Sequence, residues 1–436
     1  MEWWSVQAML MMATPVLGAA LGTIFWSRPQ AFKICGLLMI TTTWLIVTVP
    51  LWMSGLPWNF SFFFMHLIIL TGLLTILGQP PNKEASISFC LILLFTGLGL
   101  GYVASQGPST QIVLSGIFGL LILMFIRHGG QSREIPWFAI GILVMGILAL
   151  FLSLVLPDSI RTLTLLVPLI IVWPLLPVHK VFVASASQLP GMVPAFLAVL
   201  LPSLGLYGFI NLLPVIPDSL FNLLWVLAIG SAIYGSFLAL AQDSMDTLVA
   251  YAHMTLGAIV WWYAAVTQSV TPGAVGFLVG LNLVMCGLLL GNHCIWTRFG
   301  HIDLQISHGL ARIMPRFSTL FVLFITAALG LPFFTIFSAF MEMMLGIASP
   351  PVKSLVVILL AWLMASWYFP RLMQQVLFGH PSPGTRSGHD LHHYEQVSLI
   401  LLLALLIILG MAPSDWFGIA DPSISLVQLS LGISQV

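Results

Sequence analysis

The chain alternates long apolar runs with short breaks that carry turn signals. A helix needs about 20 apolar residues to cross about 30 Å of hydrocarbon. Runs of that length fall near 6–26, 34–54, 59–78, 86–105, 110–127, 136–156, 160–178, 192–212, 219–240, 247–268, 272–295, 317–345, 354–377 and 394–412. The pattern predicts an all-α, polytopic membrane protein of about 14 transmembrane helices. The separators include Ser27-Arg28-Pro29, Gly78-Gln79-Pro80-Pro81 and Gly129-Gly130, each carrying a Gly or Pro turn signal. The longer polar stretches are 296–316 and 379–395, so no separate soluble domain is expected.

Composition narrows this further. Of 436 residues, 59% are hydrophobic and 6% charged, with 13 Lys+Arg against 13 Asp+Glu. A soluble domain carries about 25% charged residues, so a soluble enzyme, a nucleic-acid binder and a disordered protein are excluded. Fifteen Trp and 29 Phe suit lipid contact and interfacial anchoring. Arg28, Lys33, Lys83, Arg127, Arg133, Lys180, Arg298, Arg312, Arg316, Arg371 and Arg386 follow odd-numbered spans, whereas Arg161 and Lys353 follow even ones. The positive-inside rule then puts the odd loops in the cytoplasm and both termini outside. A bacterial inner membrane suits this layout and its compact loops. The first span lacks a basic leader and a small-residue cleavage site, so it reads as a retained helix. Cys35, Cys90, Cys286 and Cys294 show no CxxC spacing and read as packing residues rather than metal ligands or disulfide partners. With no dinucleotide fingerprint and no paired haem histidines, neither a cofactor nor a catalytic centre is expected.

Proline inside a span frees a backbone carbonyl that lipid cannot satisfy. Such breaks cluster at 168–202 (Pro168, Pro174, Pro177, Pro190, Pro194, Pro202) and at Gly330-Leu331-Pro332. Two interrupted spans in corresponding positions suggest an inverted-repeat transporter with its ion path at the breaks; the plainer reading is kinks in tightly packed helices. Polar residues at membrane depth are functional candidates by default. Here they are His66, His179 with Lys180, Tyr207, Gln242, His253, Asn282, His293 and Glu342. Glu342 is the carboxylate well inside a predicted span; burial favours its neutral form, which suits a proton stop-over. The alternative is a helix-end glutamate reaching the headgroups. His253 reads first as a hydrogen-bonded interior histidine and second as a relay, and His66 reads as structural.

Four segments then carry a resemblance: Pro177-Val178-His179 with Ser187-Gln188-Leu189-Pro190; Leu206-Tyr207-Gly208 through Leu213-Pro214-Val215-Ile216-Pro217; Ile229-Gly230, Ile233-Tyr234-Gly235, Ala241-Gln242 and Leu248-Val249-Ala250-Tyr251; and Gly309-Leu310-Ala311-Arg312-Ile313-Met314-Pro315 with Ala328-Leu329-Gly330-Leu331-Pro332. A weaker echo is Asp390-Leu391 with Glu395. Over about 160–412 the chain resembles the antiporter-like membrane subunits of respiratory complex I, closest to NADH-quinone oxidoreductase subunit M, and the related Mrp-type antiporters.

The resemblance implies two inverted five-helix repeats, each with a broken helix, whose proton half-channels meet in a central polar axis. It divides the chain into N-terminal helices (1–109), a first repeat (110–240), a second repeat (241–378), and a C-terminal loop, last helix and tail (379–436). Candidate path residues are Glu342, His253, Thr255, Asn282, His179, Lys180, Tyr207 and Gln242, with helix breaks at Pro190, Pro202 and Pro332. Yet the family's charged positions fall here on uncharged residues: the fifth-span glutamate on Leu114–Gly119, its lysines on Val172 and Pro202, an Asp and a His on Ala184 and Ala186, and the second-break glutamate on Phe340, two residues from Glu342. A basic pair falls on Asp246-Thr247, and two histidines fall on Thr255 and beside Leu281-Asn282. The expected function is therefore a subunit of a complex I-like, energy-converting assembly whose proton path is atypical or lost. Its partners would be other membrane subunits and lipid, not nucleic acid. The alternative is the membrane partner of a two-component, cation-gradient-driven transporter such as an inorganic-carbon uptake system, or a scaffold without transport of its own.

Overall fold

The computed structural model describes residues 2–54, 59–82, 85–105, 107–132, 135–300, 303–306, 308–347, 351–379 and 389–411. Lys83, Arg133, Arg386 and the tail beyond 411 lie outside the described residues. Sixteen α-helices follow in order: α1 Glu2–Ile24, α2 Pro29–Ser54, α3 Phe60–Gly78, α4 Ala85–Ala104, α5 Pro108–Ser132, α6 Trp137–Leu152, α7 Asp158–Val172, α8 Lys180–Gln188, α9 Val193–Leu212, α10 Asp218–Leu240, α11 Met245–Thr267, α12 Pro272–Phe299, α13 Pro315–Ala328, α14 Thr335–Leu345, α15 Val352–Leu377 and α16 His393–Met411. Ten candidate spans among the described residues are long and apolar enough to cross a bilayer singly; α6, α7, α13 and α14 are shorter apolar helices. Large apolar side chains such as Leu38, Trp52, Leu148, Phe237, Leu363 and Trp367 are exposed on the outer faces, as lipid contact requires. The chain is an integral membrane protein.

The helices repeat one packing scheme twice. In the first half, α4 packs on α5, α5 on α6, α6 on both α7 and α8, and α9 closes back on α4. In the second half, α10 packs on α11, α11 on α12, α12 on both α13 and α14, and α15 closes back on α10. The halves meet where α9 lies on α12 and α8 on α11. At that seam α12 is buried along its apolar length and α11 nearly so, which places the centre of the molecule on two helices far apart in the chain from α8 and α9.

The two broken helices occupy equivalent places. The predicted seventh span ends at Val172, and Trp173–His179 is irregular before the short α8. Pro174 and Pro177 supply no N–H and disfavour helix in the residues before them. The freed backbone finds partners: the Trp173 N–H bonds the Leu169 carbonyl at 2.9 Å, and the Leu176 N–H bonds Ser231 Oγ of α10 at 2.9 Å. The chain turns again at Leu189–Met192, around Pro190 and Gly191. In the second half, α13 stops at Ala328 and α14 starts at Thr335, with Gly330 at φ +74° and Phe333 at φ +78°. Trp362 Nε1 donates to the Leu329 carbonyl at 3.4 Å, and Thr335 Oγ1 donates to the Leu406 carbonyl at 2.6 Å. The break expected at Pro202 is absent: α9 runs through it. Losing one i to i−4 bond does not interrupt a helix held by α3, α7 and α12 on its sides.

Gly410 of α16 rests directly on the second break. A Cβ there would lie 2.7 Å from the Phe333 carbonyl oxygen and 2.7 Å from the Thr335 nitrogen, both main-chain atoms that cannot swing aside. Gly410→Ala is expected to lower stability by about 1–3 kcal/mol, the range for overpacking, as a lower unfolding midpoint in detergent. A wild-type midpoint would show that the break can move without cost.

Candidate functional site

The centre of the molecule holds a short hydrogen-bonded chain from three helices. His253 on α11 and Asn282 on α12 are both 0% exposed, and His253 Nε2 lies 2.8 Å from Asn282 Oδ1. An amide oxygen only accepts, so His253 donates from Nε2. Asn282 Nδ2 in turn donates to Ser203 Oγ of α9 at 3.1 Å. Ser203 adjoins the very proline at which a break is expected. The Phe182 ring of α8 covers the imidazole, with centroids 4.7 Å apart.

On its other side the imidazole faces Gly257, one turn further along α11. A Cβ at Gly257 would lie 3.3 Å from Trp173 Nε1 and 3.9 Å from His253 Nδ1. Both nitrogens are buried without a protein hydrogen-bond partner. Trp173 is the residue that ends α7 at the first break, stacked on Trp261 with centroids 4.1 Å apart. The missing side chain of Gly257 thus makes a notch bounded by one ring N–H and one ring nitrogen.

Other candidates group differently. Lys180 Nζ donates to Tyr251 Oη at 3.2 Å, and the buried His179 ring packs against Tyr234 and Tyr251, at 5.5 and 5.9 Å. This cluster uses the same two helices as the His253 chain but different faces of them, since Tyr251 and His253 on α11, and Lys180 and Phe182 on α8, are two residues apart. Thr255 donates to the Tyr251 carbonyl of its own helix at 3.0 Å, and Gln242 folds back on the Leu238 carbonyl at 2.9 Å. Tyr207 lies one turn beyond Ser203 on α9, donating to the Val103 carbonyl at 3.0 Å and pairing with Ser61 Oγ at 3.1 Å. Glu342 is exposed on α14 against Gly273, in the first turn of α12, where a carboxylate is favoured by the helix dipole. It lies nine residues along α12 from Asn282, apart from the His253 chain. His66 bonds the Phe62 carbonyl and Thr48 at 2.7 and 3.1 Å, holding α3 to α2.

Where the family's charges are missing, the structure shows packing. Val172, Ala184, Ala186 and Phe340 are buried, and Phe340 meets Trp362 edge-on with centroids 3.9 Å apart. Among the described residues, Glu395, in the first turn of α16, is a fully buried carboxylate. It takes Arg298 of α12 in a two-pronged pair, Nη2 to Oε2 at 2.6 Å and Nη1 to Oε1 at 3.1 Å. Lys33 closes the same end of the bundle, donating to the Leu77 and Gln79 carbonyls at 2.7 and 2.8 Å beneath the Tyr394 ring. Sequence reasoning did not single out Ser203, Trp173, Gly257 or the Arg298–Glu395 pair; the echo at Glu395 was the one signal that pointed to any of them.

The sequence and the fold are matched by known proteins. The family model described as NADH:quinone oxidoreductase/Mrp antiporter, transmembrane, matches residues 111–365. NADH-quinone oxidoreductase subunit M of Rickettsia bellii is 27% identical over 249 residues, covering 56% of this chain and 50% of that protein. The chain spans about half the length of the curated relatives it matches. Among solved structures, a chain of respiratory complex I from Thermus thermophilus superposes with a TM-score of 0.72 at 20% identity, covering 91% of this chain and 95% of that one. A chain of the membrane-bound sulfane sulfur reductase, an archaeal respiratory membrane complex, gives a TM-score of 0.66 at 17% identity, covering 94% and 95%. The likenesses in structure concern the fold, and the family match extends over more than half of the sequence. The chain belongs to the NADH:quinone oxidoreductase/Mrp antiporter transmembrane family.

Proposed function

We propose that this chain is an antiporter-like membrane subunit of a multi-subunit, energy-converting complex of the complex I type, and that its proton path is reduced to one buried stop-over, His253. The observation that carries this is the His253–Asn282–Ser203 chain, set where the two halves meet and beside the first broken helix. The named relatives belong to respiratory complexes, which favours this reading over carbon uptake. The two repeats would be α4–α9 and α10–α15, which moves α4 into the first and α10 into the second relative to the expected bounds of 110–240 and 241–378. A bacterial inner membrane with both termini outside agrees with the distribution of basic residues.

Asn282 Oδ1 accepts from Nε2–H whether the ring is neutral or charged, so protons come and go at Nδ1. That nitrogen faces the notch at Gly257. A water there would accept from Trp173 Nε1–H and donate to Nδ1, giving both buried nitrogens a partner. The first break thereby contributes a donor that a continuous helix would not present. The family's lysine and glutamate positions fall here on Val172, Pro202 and Phe340, which cannot change charge to drive His253, so a conformational change in a neighbouring subunit is the natural source of the push.

Two measurements test this. The chain, extracted in mild detergent, should copurify with other membrane subunits of a quinone-reducing or hydrogenase-like complex; recovery as a lone monomer would overturn the assignment. Gly257→Ala puts a methyl group into the notch and is expected to slow proton movement in reconstituted complexes by about 100-fold, the lower end of what a positioned proton-transfer group contributes. A wild-type rate would remove the notch from the path.

A further inference from the structure

The first break leaves the start of α8 inside the bundle. From the turn at Leu189–Met192, α8 and α9 pack side by side as the two arms of a hairpin. The nine residues of α8 cover about 13.5 Å at 1.5 Å per residue, which sets its first residue near the middle of the 20-residue α9. That residue is Lys180. A lysine at such depth is costly unless something answers its charge. Among the described residues Lys180 forms no ion pair, and its ammonium donates to Tyr251 Oη at 3.2 Å. The nearest acid along α11 is Asp246, in the first turn, and it is taken by Asn292 of α12.

His179, the residue that precedes α8, supplies a second and independent feature. It is 4% exposed, and neither of its ring nitrogens has a hydrogen-bond partner; the Pro177 carbonyl is near the ring but outside bonding geometry. A neutral ring carries one N–H, so a buried donor is left unused. The other groups gathered here are donors as well. Tyr251 accepts from Lys180, which leaves its own O–H to give. Tyr234 of α10 is 39% exposed, and its hydroxyl has no partner among the described residues. The N–H groups of Lys180 and Val181, the first two of α8, also lack an acceptor among the described residues, and the helix dipole makes that end positive. The His179 ring centroid lies 5.5 Å from that of Tyr234 and 5.9 Å from that of Tyr251. Three helices thus bring donors and a positive charge to one place.

We propose that the start of α8 is a halide site, with chloride as its natural occupant. The start of a broken helix within a membrane is suited to an anion, because its N–H groups and dipole point at the bound charge. His179 and Tyr251 are buried whereas Tyr234 is exposed, so an occupant passes Tyr234 and has to be small. Chloride accepts from all sides, which suits donors on three helices. A carboxylate presents its oxygens on one side and leaves a carbon body to be housed. Bound there, the ion answers the Lys180 charge in place. None of these four side chains belongs to the His253–Asn282–Ser203 chain, so the anion site stands or falls independently of proton movement.

The test uses the full chain in mild detergent, exchanged into potassium gluconate and titrated with potassium chloride or bromide at constant ionic strength. Both halides should raise the unfolding midpoint of wild type in a saturable way, since a ligand that binds the folded state stabilises it. Tyr234→Phe removes one hydroxyl at an exposed position and should weaken the apparent affinity by about 10-fold, the scale of one hydrogen bond to a charged group. Lys180→Met should lose the response altogether. In crystals grown with bromide, the anomalous signal should fall between Lys180 and Tyr234. Equal midpoints in gluconate and chloride would overturn the proposal, and so would a bromide signal found only elsewhere. Stabilisation by decanoate but by neither halide would overturn the halide assignment in favour of a carboxylate. If Lys180→Met does not fold, Tyr234→Phe decides alone, and a wild-type affinity there rejects the site.

Discussion

Replacing His253 with leucine is expected to cut proton movement through the reconstituted complex by about 100-fold or more, while the chain still folds and assembles. The size follows from the chemistry. A positioned acid–base group contributes about 100- to 10,000-fold to a proton transfer, and neither Asn282 nor Ser203 changes protonation state in its place. The structural penalty is smaller: Asn282 Oδ1 loses its partner, worth about 1–3 kcal/mol for a buried acceptor. Asn282→Leu separates the roles, because it leaves His253 in position but removes the group that fixes Nε2–H. It should slow transfer less than His253→Leu and cost comparable stability. Quenching of a pH-sensitive dye in proteoliposomes of the purified complex gives the rates, and unfolding midpoints give the stabilities. Wild-type rates in both variants would mean that this chain is a scaffold and that protons cross elsewhere.

How legible this was from the sequence depends on what each feature requires. Apolar runs are local, so the helices could be read, and Pro174 and Pro177 marked the first break because two missing N–H groups close together end a helix anywhere. Pro202 misled, since one proline in a run as apolar as Val193–Leu212 is tolerated when three helices hold it. The nine-residue α8 was hidden because it is too short to form an apolar run and carries two serines. The His253–Asn282 pair was half-visible: each residue stood out as polar in an apolar stretch, but their contact belongs to the packing of α11 on α12. The notch was not visible at all. It needs an indole from the end of α7, an imidazole from α11 and the absence of a side chain at Gly257, and glycines are common in this chain. The carboxylates show the same limit. Glu342 read equally as a buried stop-over and as a helix-end glutamate, and it stands exposed beside Gly273, whereas Glu395 looked like part of a polar loop and is sealed by a helix 97 residues away.

That buried pair carries the largest expected effect on stability. Glu395→Leu leaves the Arg298 guanidinium in a site where its side chain is 10% exposed, and removing one partner of a buried pair typically costs about 3–5 kcal/mol. Glu395 also accepts the His392 N–H at 2.8 Å, and Arg298 donates to the His389 and Asp390 carbonyls at 3.0 and 3.3 Å. Asp390 then accepts the Arg316 and Phe317 N–H groups that open α13, at 2.9 and 3.3 Å. The pair therefore ties the ends of α12, α13 and α16 through one short segment, and its loss should free that segment as well as strand a charge. Replacing both partners, as R298M/E395L, removes the stranded charge and is expected to recover most of the loss, because two apolar side chains avoid the desolvation that both ions undergo. What the double variant does not recover measures the carbonyl and amide bonds of the 389–395 segment. Unfolding midpoints of the two single variants and the double variant, in one detergent, complete the cycle. A Glu395→Leu cost below about 1 kcal/mol, the range of exposed ion pairs, would show that water reaches this end of the bundle and that the pair holds little of it together.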